Sequence, residues 1–244
     1  MAVSCGGAKP NSTAKSPKKE AGGDVAAFCD GYIEMVQASD SEEELRSLGE
    51  KADALFDEVE ANAPQEVSGP VGVVVDATRQ AAAEGTPEAF MSREFDVAVN
   101  ELNSYMFDNC ESDAKLDVTG VEYAFEGVPD TVSAGRVALR FTNDGDQPHE
   151  FIVFRKNDGV TESFDEILEL PEGQSEERMT FVGATFADPG ESNAAVFEAE
   201  AGEYIALCFF PVGATVEGPE PEEGEGPPGP DHWVEGMRSE FTVE

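Results

Sequence analysis

The chain has 244 residues, with 52 acidic side chains against 15 basic ones and a formal net charge of −37. That balance excludes nucleic acid as a partner, because phosphate binding needs clustered Lys and Arg, and it favours solubility and the steering of basic partners. The length leaves room for two ordinary domains, and no window of about 18 uncharged apolar residues offers a membrane span.

Residues 1–23 read as an anchor and tether. The small-residue run Ala2-Val-Ser-Cys5-Gly-Gly7 resembles the tail of a bacterial lipoprotein signal. The resemblance implies Cys5 as the lipid attachment site, with the charged start and apolar core of the signal lying upstream. An incidental Cys in a plain cytoplasmic N terminus is the alternative. The stretch that follows, with Lys9, Lys15, Lys18 and Lys19, has no apolar periodicity and reads as a flexible linker near anionic headgroups.

Residues 24–112 read as a helical bundle. Val25, Phe28, Cys29, Tyr32 and Val36 recur at helical spacing on one face. Ser39-Asp-Ser-Glu-Glu-Glu44 is a capping signal, followed by Leu45, Leu48, Ala52, Leu55, Phe56 and Val59. A third helix is predicted over 65–84, with Gly69-Pro70 breaking or restarting it. A fourth is predicted from Pro87 to about Asn109, placing Phe95, Val99, Leu102 and Tyr105/Met106 inward. In an up-down-up-down bundle the start of the first helix and the end of the last lie at one end. Cys29 and Cys110 then fall together, and a disulfide between them is expected, which requires an oxidising compartment. Two reduced core cysteines are the alternative. The bundle holds no His and nothing that looks catalytic.

Residues 115–244 are β-rich. Strands are predicted at 121–125, 137–141, 151–154, 179–182, 194–197, 204–210 and 239–243, with a short helix at 163–168. Turn signals Asn143-Asp-Gly145 and Asn157-Asp-Gly159 separate them, and the pattern fits a sandwich. The overall fold class is α+β multidomain, a helical bundle followed by an all-β Greek-key sandwich. Along 204–210, Tyr204, Ala206, Cys208 and Phe210 share a face, so Cys208 points inward.

The chain holds only two histidines, His149 and His232, and the second is followed five residues later by Met237. Two imidazoles, a thiolate and a weak thioether form the ligand set of a mononuclear type 1 copper site. The run Gly202-Glu-Tyr204-Ile-Ala-Leu-Cys208-Phe-Phe-Pro211, with His232 and Met237 downstream, resembles the cupredoxin family. The resemblance covers about half the chain. It implies His149, Cys208 and His232 as equatorial ligands of one copper, Met237 as the long axial ligand, and His232, on a surface loop, as the electron port.

Two positions depart from the family pattern. Residues 209–231 intervene between Cys208 and His232 where the family has a tight loop, and Glu150 follows His149 where many members carry Asn. The insert carries Glu217, Glu220, Glu222, Glu223, Glu225 and Asp231, a ring of acids suited to steering a basic redox partner. The function expected is one-electron transfer, not enzyme catalysis, in an extracytoplasmic protein held to the membrane only by a lipid anchor. A copper-holding or delivery protein without a redox circuit, or a metal-free binding module, are the alternatives.

Overall fold

The computed structural model describes residues 23–37, 42–84, 86–171, 173–216 and 229–244. Cys5 with its tether, the Ser39–Ser41 part of the capping signal and residues 217–228 of the acidic insert lie outside the described residues.

Helices α1 (Val25–Gln37), α2 (Glu42–Asn62), α3 (Ser68–Glu84) and α4 (Arg93–Asn109) come first. Two of them begin later than a simple reading of the apolar pattern suggests. Residues Gln65–Val67 form a 3₁₀ turn before α3 restarts at Ser68 beside Gly69-Pro70. Pro87–Met91 is a second 3₁₀ turn, and α4 starts only at Arg93, capped by Ser92, whose side chain accepts the Phe95 N–H at 3.2 Å. A hydroxyl acceptor there satisfies one of the orphan donors of the first turn.

The bundle core joins Phe28, Tyr32 and Met35 to Phe56, Val59, Val71, Val75, Leu102 and Met106. Met35 and Ile33 are buried while Val25 and Val36 lie at the surface, so the inward face of α1 is rotated from the one its spacing predicts. The Cys29–Cys110 disulfide joins the opening of α1 to the residue that caps α4, with a Cα–Cα distance of 5.9 Å.

Among the described residues nine strands follow, interrupted by α5 (Phe164–Leu168), which a Ser163–Glu166 capping box starts. They are β1 (Ala114–Val121), β2 (Ala124–Glu126), β3 (Thr131–Val132), β4 (Gly135–Asn143), β5 (His149–Lys156), β6 (Met179–Ala187), β7 (Ser192–Ala199), β8 (Gly202–Leu207) and β9 (Arg238–Val243). They form two sheets, ordered β2-β1-β4-β7 and β3-β9-β8-β5-β6. Phe141, Phe151, Tyr204, Phe197 and Phe241 fill the space between them. Tyr204 and Ala206 of β8 face that core, while Ile205 and Leu207 are buried beneath Phe164 and Ile167 of α5. The period-2 alternation of β8 thus holds with both faces covered.

The bundle rests on the first sheet. Phe107 of α4 packs on Ala138 and Ala194, and the Arg140 guanidinium lies 4.0 Å from its ring centroid while bonding Asp108 at 2.8 Å. Arg136 reaches back to Asp30 at 2.9 Å.

One strand assignment changes. The apolar run 121–125 is not one strand: Val121 ends β1, Glu122-Tyr123 turn the chain, and Ala124-Phe125 begin β2, because β1 starts earlier and inserts Leu116 and Val118 into the core. β1 lies parallel to β4 with Gly120 opposite Asn143. The chain leaving β1 therefore stands beside the chain leaving β4, and this places Glu122 and Tyr123 over the site described next.

Candidate metal centre

His149 opens β5, Cys208 directly follows β8, and His232 lies in the turn before β9. Each approach is held by hydrogen bonds. Asn143, fully buried, donates to Gln147 O (2.7 Å) and Ala187 O (2.8 Å) and accepts the Gly145 N–H (2.8 Å). That fixes the loop leading to His149. On the other side, Trp233 N donates to Cys208 O (2.9 Å), His232 N to Phe210 O (2.8 Å) and Met237 N to His232 O (2.9 Å). The insert is pinched at its base, where Pro211 pairs with Asp231 and Val212 N donates to Pro230 O at 2.9 Å. Its length therefore does not separate Cys208 from His232, as the slow growth of loop-closure entropy allows.

The side chains converge. His149 Nδ1 lies 3.1 Å from His232 Nδ1, and Cys208 Sγ lies 3.4 Å from His232 Nδ1. All three residues are fully buried, and their donor atoms fall within 4.8 Å of one another. A cation bonded to imidazole nitrogen at about 2.0–2.1 Å and to thiolate sulfur at about 2.3 Å leaves such atoms roughly 3–4 Å apart. The far ring nitrogens face acceptors: His149 Nε2 faces Glu122 Oε1 at 3.5 Å, and His232 Nε2 faces Gln147 Oε1 at 3.4 Å. Protons on both Nε2 atoms leave two Nδ1 lone pairs pointed at each other, an arrangement that a cation between them satisfies. The donor set fits a soft transition metal such as copper.

Electrostatics agree with that fit. Burial, with His149 alongside, lowers His232 to about 4, and burial lowers His149 as well, so both rings are neutral donors. Burial pushes the Cys208 thiol up to about 12. A metal reverses that preference, because a coordinating thiol gives up its proton. The Glu150 N–H, 3.5 Å from Sγ, is aimed at the charge this would leave.

Met237 is fully buried in the same turn and its carbonyl accepts the Cys208 N–H at 3.3 Å. A Cβ at Gly120 would lie 3.2 Å from the Met237 methyl and 2.7 Å from the Phe141 ring, so glycine is what lets these side chains meet. The Glu150 carboxylate accepts the Phe209 N–H at 2.7 Å and so links the strand opened by His149 to the turn after Cys208.

The β domain is similar to cupredoxins of known structure. An auracyanin from the photosynthetic bacterium Roseiflexus castenholzii is 22% identical over 55% of this chain and 98% of its own, with a TM-score of 0.34. Rusticyanin from Thiobacillus ferrooxidans is 15% identical over 59% and 93%, with a TM-score of 0.31. A purple cupredoxin from Nitrosopumilus maritimus is 16% identical over 54% and 100%, with a TM-score of 0.28. No protein-family model matches the chain, and no curated protein matches it. What the site can do is decided by its own donor atoms.

One expectation is corrected. His232 is not an exposed port: it is fully buried, with the Tyr123 ring 4.8 Å away and Gln147 at its far nitrogen. The turn after β1, read from sequence as a strand, is what covers it. Asp231, the one described acid of the insert's six, is half-buried and accepts the Trp233 indole N–H at 3.1 Å. Glu122, Gln147 and Tyr123 escaped the sequence reading. Their only signal was the Asn143-Asp-Gly145 turn, which does not reveal what lies across from it.

Proposed function

We propose that this chain is a type 1 copper protein that carries single electrons, with His149, Cys208 and His232 as the strong ligands and Met237 as the axial one. The observation that carries the reading is the buried triangle of two Nδ1 atoms and one Sγ, with an acceptor behind each imidazole. Copper, when bound, supplies a one-electron couple. The protein's part is to hold soft and borderline donors in fixed positions, so that neither oxidation state forces a large rearrangement, and to exclude water from the sulfur. The only two histidines of the chain are both spent on this site, so an electron carrier is a better reading than an oxidase with a further imidazole-bound copper centre.

The same reading places the protein outside the cytoplasm, tethered through a lipid on Cys5, and exchanging electrons with a basic redox protein drawn by its negative charge. The buried disulfide accords with an oxidising compartment. Among the described residues no helix is long and apolar enough to cross a membrane.

The test is the visible spectrum of the Cu(II)-loaded protein. An intense charge-transfer band is expected, abolished by Cys208→Ser. A colourless Cu(II) adduct would favour copper holding without a redox circuit. Exchange with a basic redox protein should slow as salt rises, over a screening length of about 10 Å at 0.1 M.

A further inference from the structure

The two imidazoles of the centre are backed differently. Behind His232 stands the neutral Gln147 amide, but behind His149 stands a carboxylate. Glu122 Oε1 is itself locked, accepting the N–H groups of Asp146 (2.6 Å) and Gln147 (2.9 Å). His149 Nε2 is buried with no hydrogen bond, and Glu122 Oε1 at 3.5 Å is the acceptor it faces. The contact depends on Gly145: a Cβ there would lie 2.6 Å from Glu122 Oε1 and 2.8 Å from His149 Nε2, so any larger residue would wedge them apart. Parallel pairing of Gly120 with Asn143 brings the two turns together.

We propose that Glu122 is a positioning residue of the metal centre: its carboxylate faces the Nε2–H of His149 as an acceptor, which points Nδ1 at the metal, and by its charge it favours the more oxidised ion. The inference rests on the copper reading for the identity of the metal, but the orientation of His149 can be read without it. A carboxylate behind a ligating imidazole fixes the tautomer and raises the ring's basicity. Its negative charge stabilises the dipositive over the monopositive ion. Glu122 keeps 30% of its side-chain surface exposed, so water screens part of that charge and the effect is modest.

Glu122→Gln preserves an acceptor for the Asp146 and Gln147 N–H groups and removes only the charge. In the copper-loaded protein it should lower the preference for Cu(II) over Cu(I) about tenfold, an upward shift of about 59 mV for a one-electron couple, with the colour retained. Glu122→Ala should cost about 10- to 100-fold in affinity for Zn(II) or Co(II). In the metal-free protein, ¹⁵N NMR should show His149 as the Nε2–H tautomer, becoming mixed in Glu122→Ala. Gly145→Ala, which keeps the carboxylate but separates it from the ring, should also give mixed tautomers. An unchanged potential in Glu122→Gln would overturn the electrostatic role. An unchanged tautomer and unchanged Zn(II) affinity in Glu122→Ala would overturn the positioning role. A colourless Cu(II) adduct would instead remove the type 1 electron-transfer reading, and the tautomer and Zn(II) data would still decide the part played by Glu122.

Discussion

The Glu150 carboxylate accepts the Phe209 N–H at 2.7 Å and so ties the strand that opens with His149 to the turn that follows Cys208. The Glu150 N–H is directed at Cys208 Sγ, so one residue braces the Cys208 turn from both its backbone and its side chain. Burial raises the Glu150 pKa while the Phe209 N–H opposes the rise.

Glu150→Ala is therefore expected to destabilise the metal-free protein by about 1–2 kcal/mol, since it strips an acceptor from a backbone donor. Glu150→Gln, whose amide oxygen can still accept, should lose less than half of that. Denaturant unfolding of the two variants checks the ordering, and equal losses would mean that the charge, not the hydrogen bond, matters.

The metal-free protein should lose stability in mild acid. His232 is held at about 4 in the folded state against about 6.5 for a free imidazole, and His149 is lowered too. A base with a lowered folded pKa binds its proton first in the unfolded chain. The stability it contributes is complete above about pH 6.5 and is lost as pH falls toward about 4. Thermal melts across that window should show the decline, and His232→Gln should flatten it.

Reduction of Cys29–Cys110 should weaken the bundle. The bond spans 81 positions of sequence, and the chain-entropy model gives up to about 4–5 kcal/mol for a loop of that size. Thiol titration of the metal-free, unreduced protein should find Cys208 free and the other two described cysteines blocked. A melting temperature insensitive to reductant would mean that the bundle core holds without it.

Met237→Leu tests the axial position. The swap nearly conserves volume in a fully buried site, so its cost should stay below about 1.5 kcal/mol. The charge-transfer colour should remain and the potential should rise, because a weak donor to Cu(II) is lost. An unchanged potential would remove Met237 from the ligand set.

The sequence alone determined the grouping of His149, Cys208 and His232 and the broad architecture. A lone Cys beside an alternating strand, two histidines in a chain that has no others, and a Met five residues beyond the second are local signals. Amphipathic spacing likewise marked the bundle, and its up-down order placed Cys29 near Cys110. What only the tertiary structure decided lies across the sheets. Glu122 was hidden in an apolar run that looks like a strand, and its meeting with His149 depends on β1 lying parallel to β4 with Gly120 opposite Asn143. Residues far apart in sequence meet there through register, which no periodicity encodes. The burial of His232 under Tyr123 has the same origin, because a loop's own composition cannot say which distant turn will fold over it.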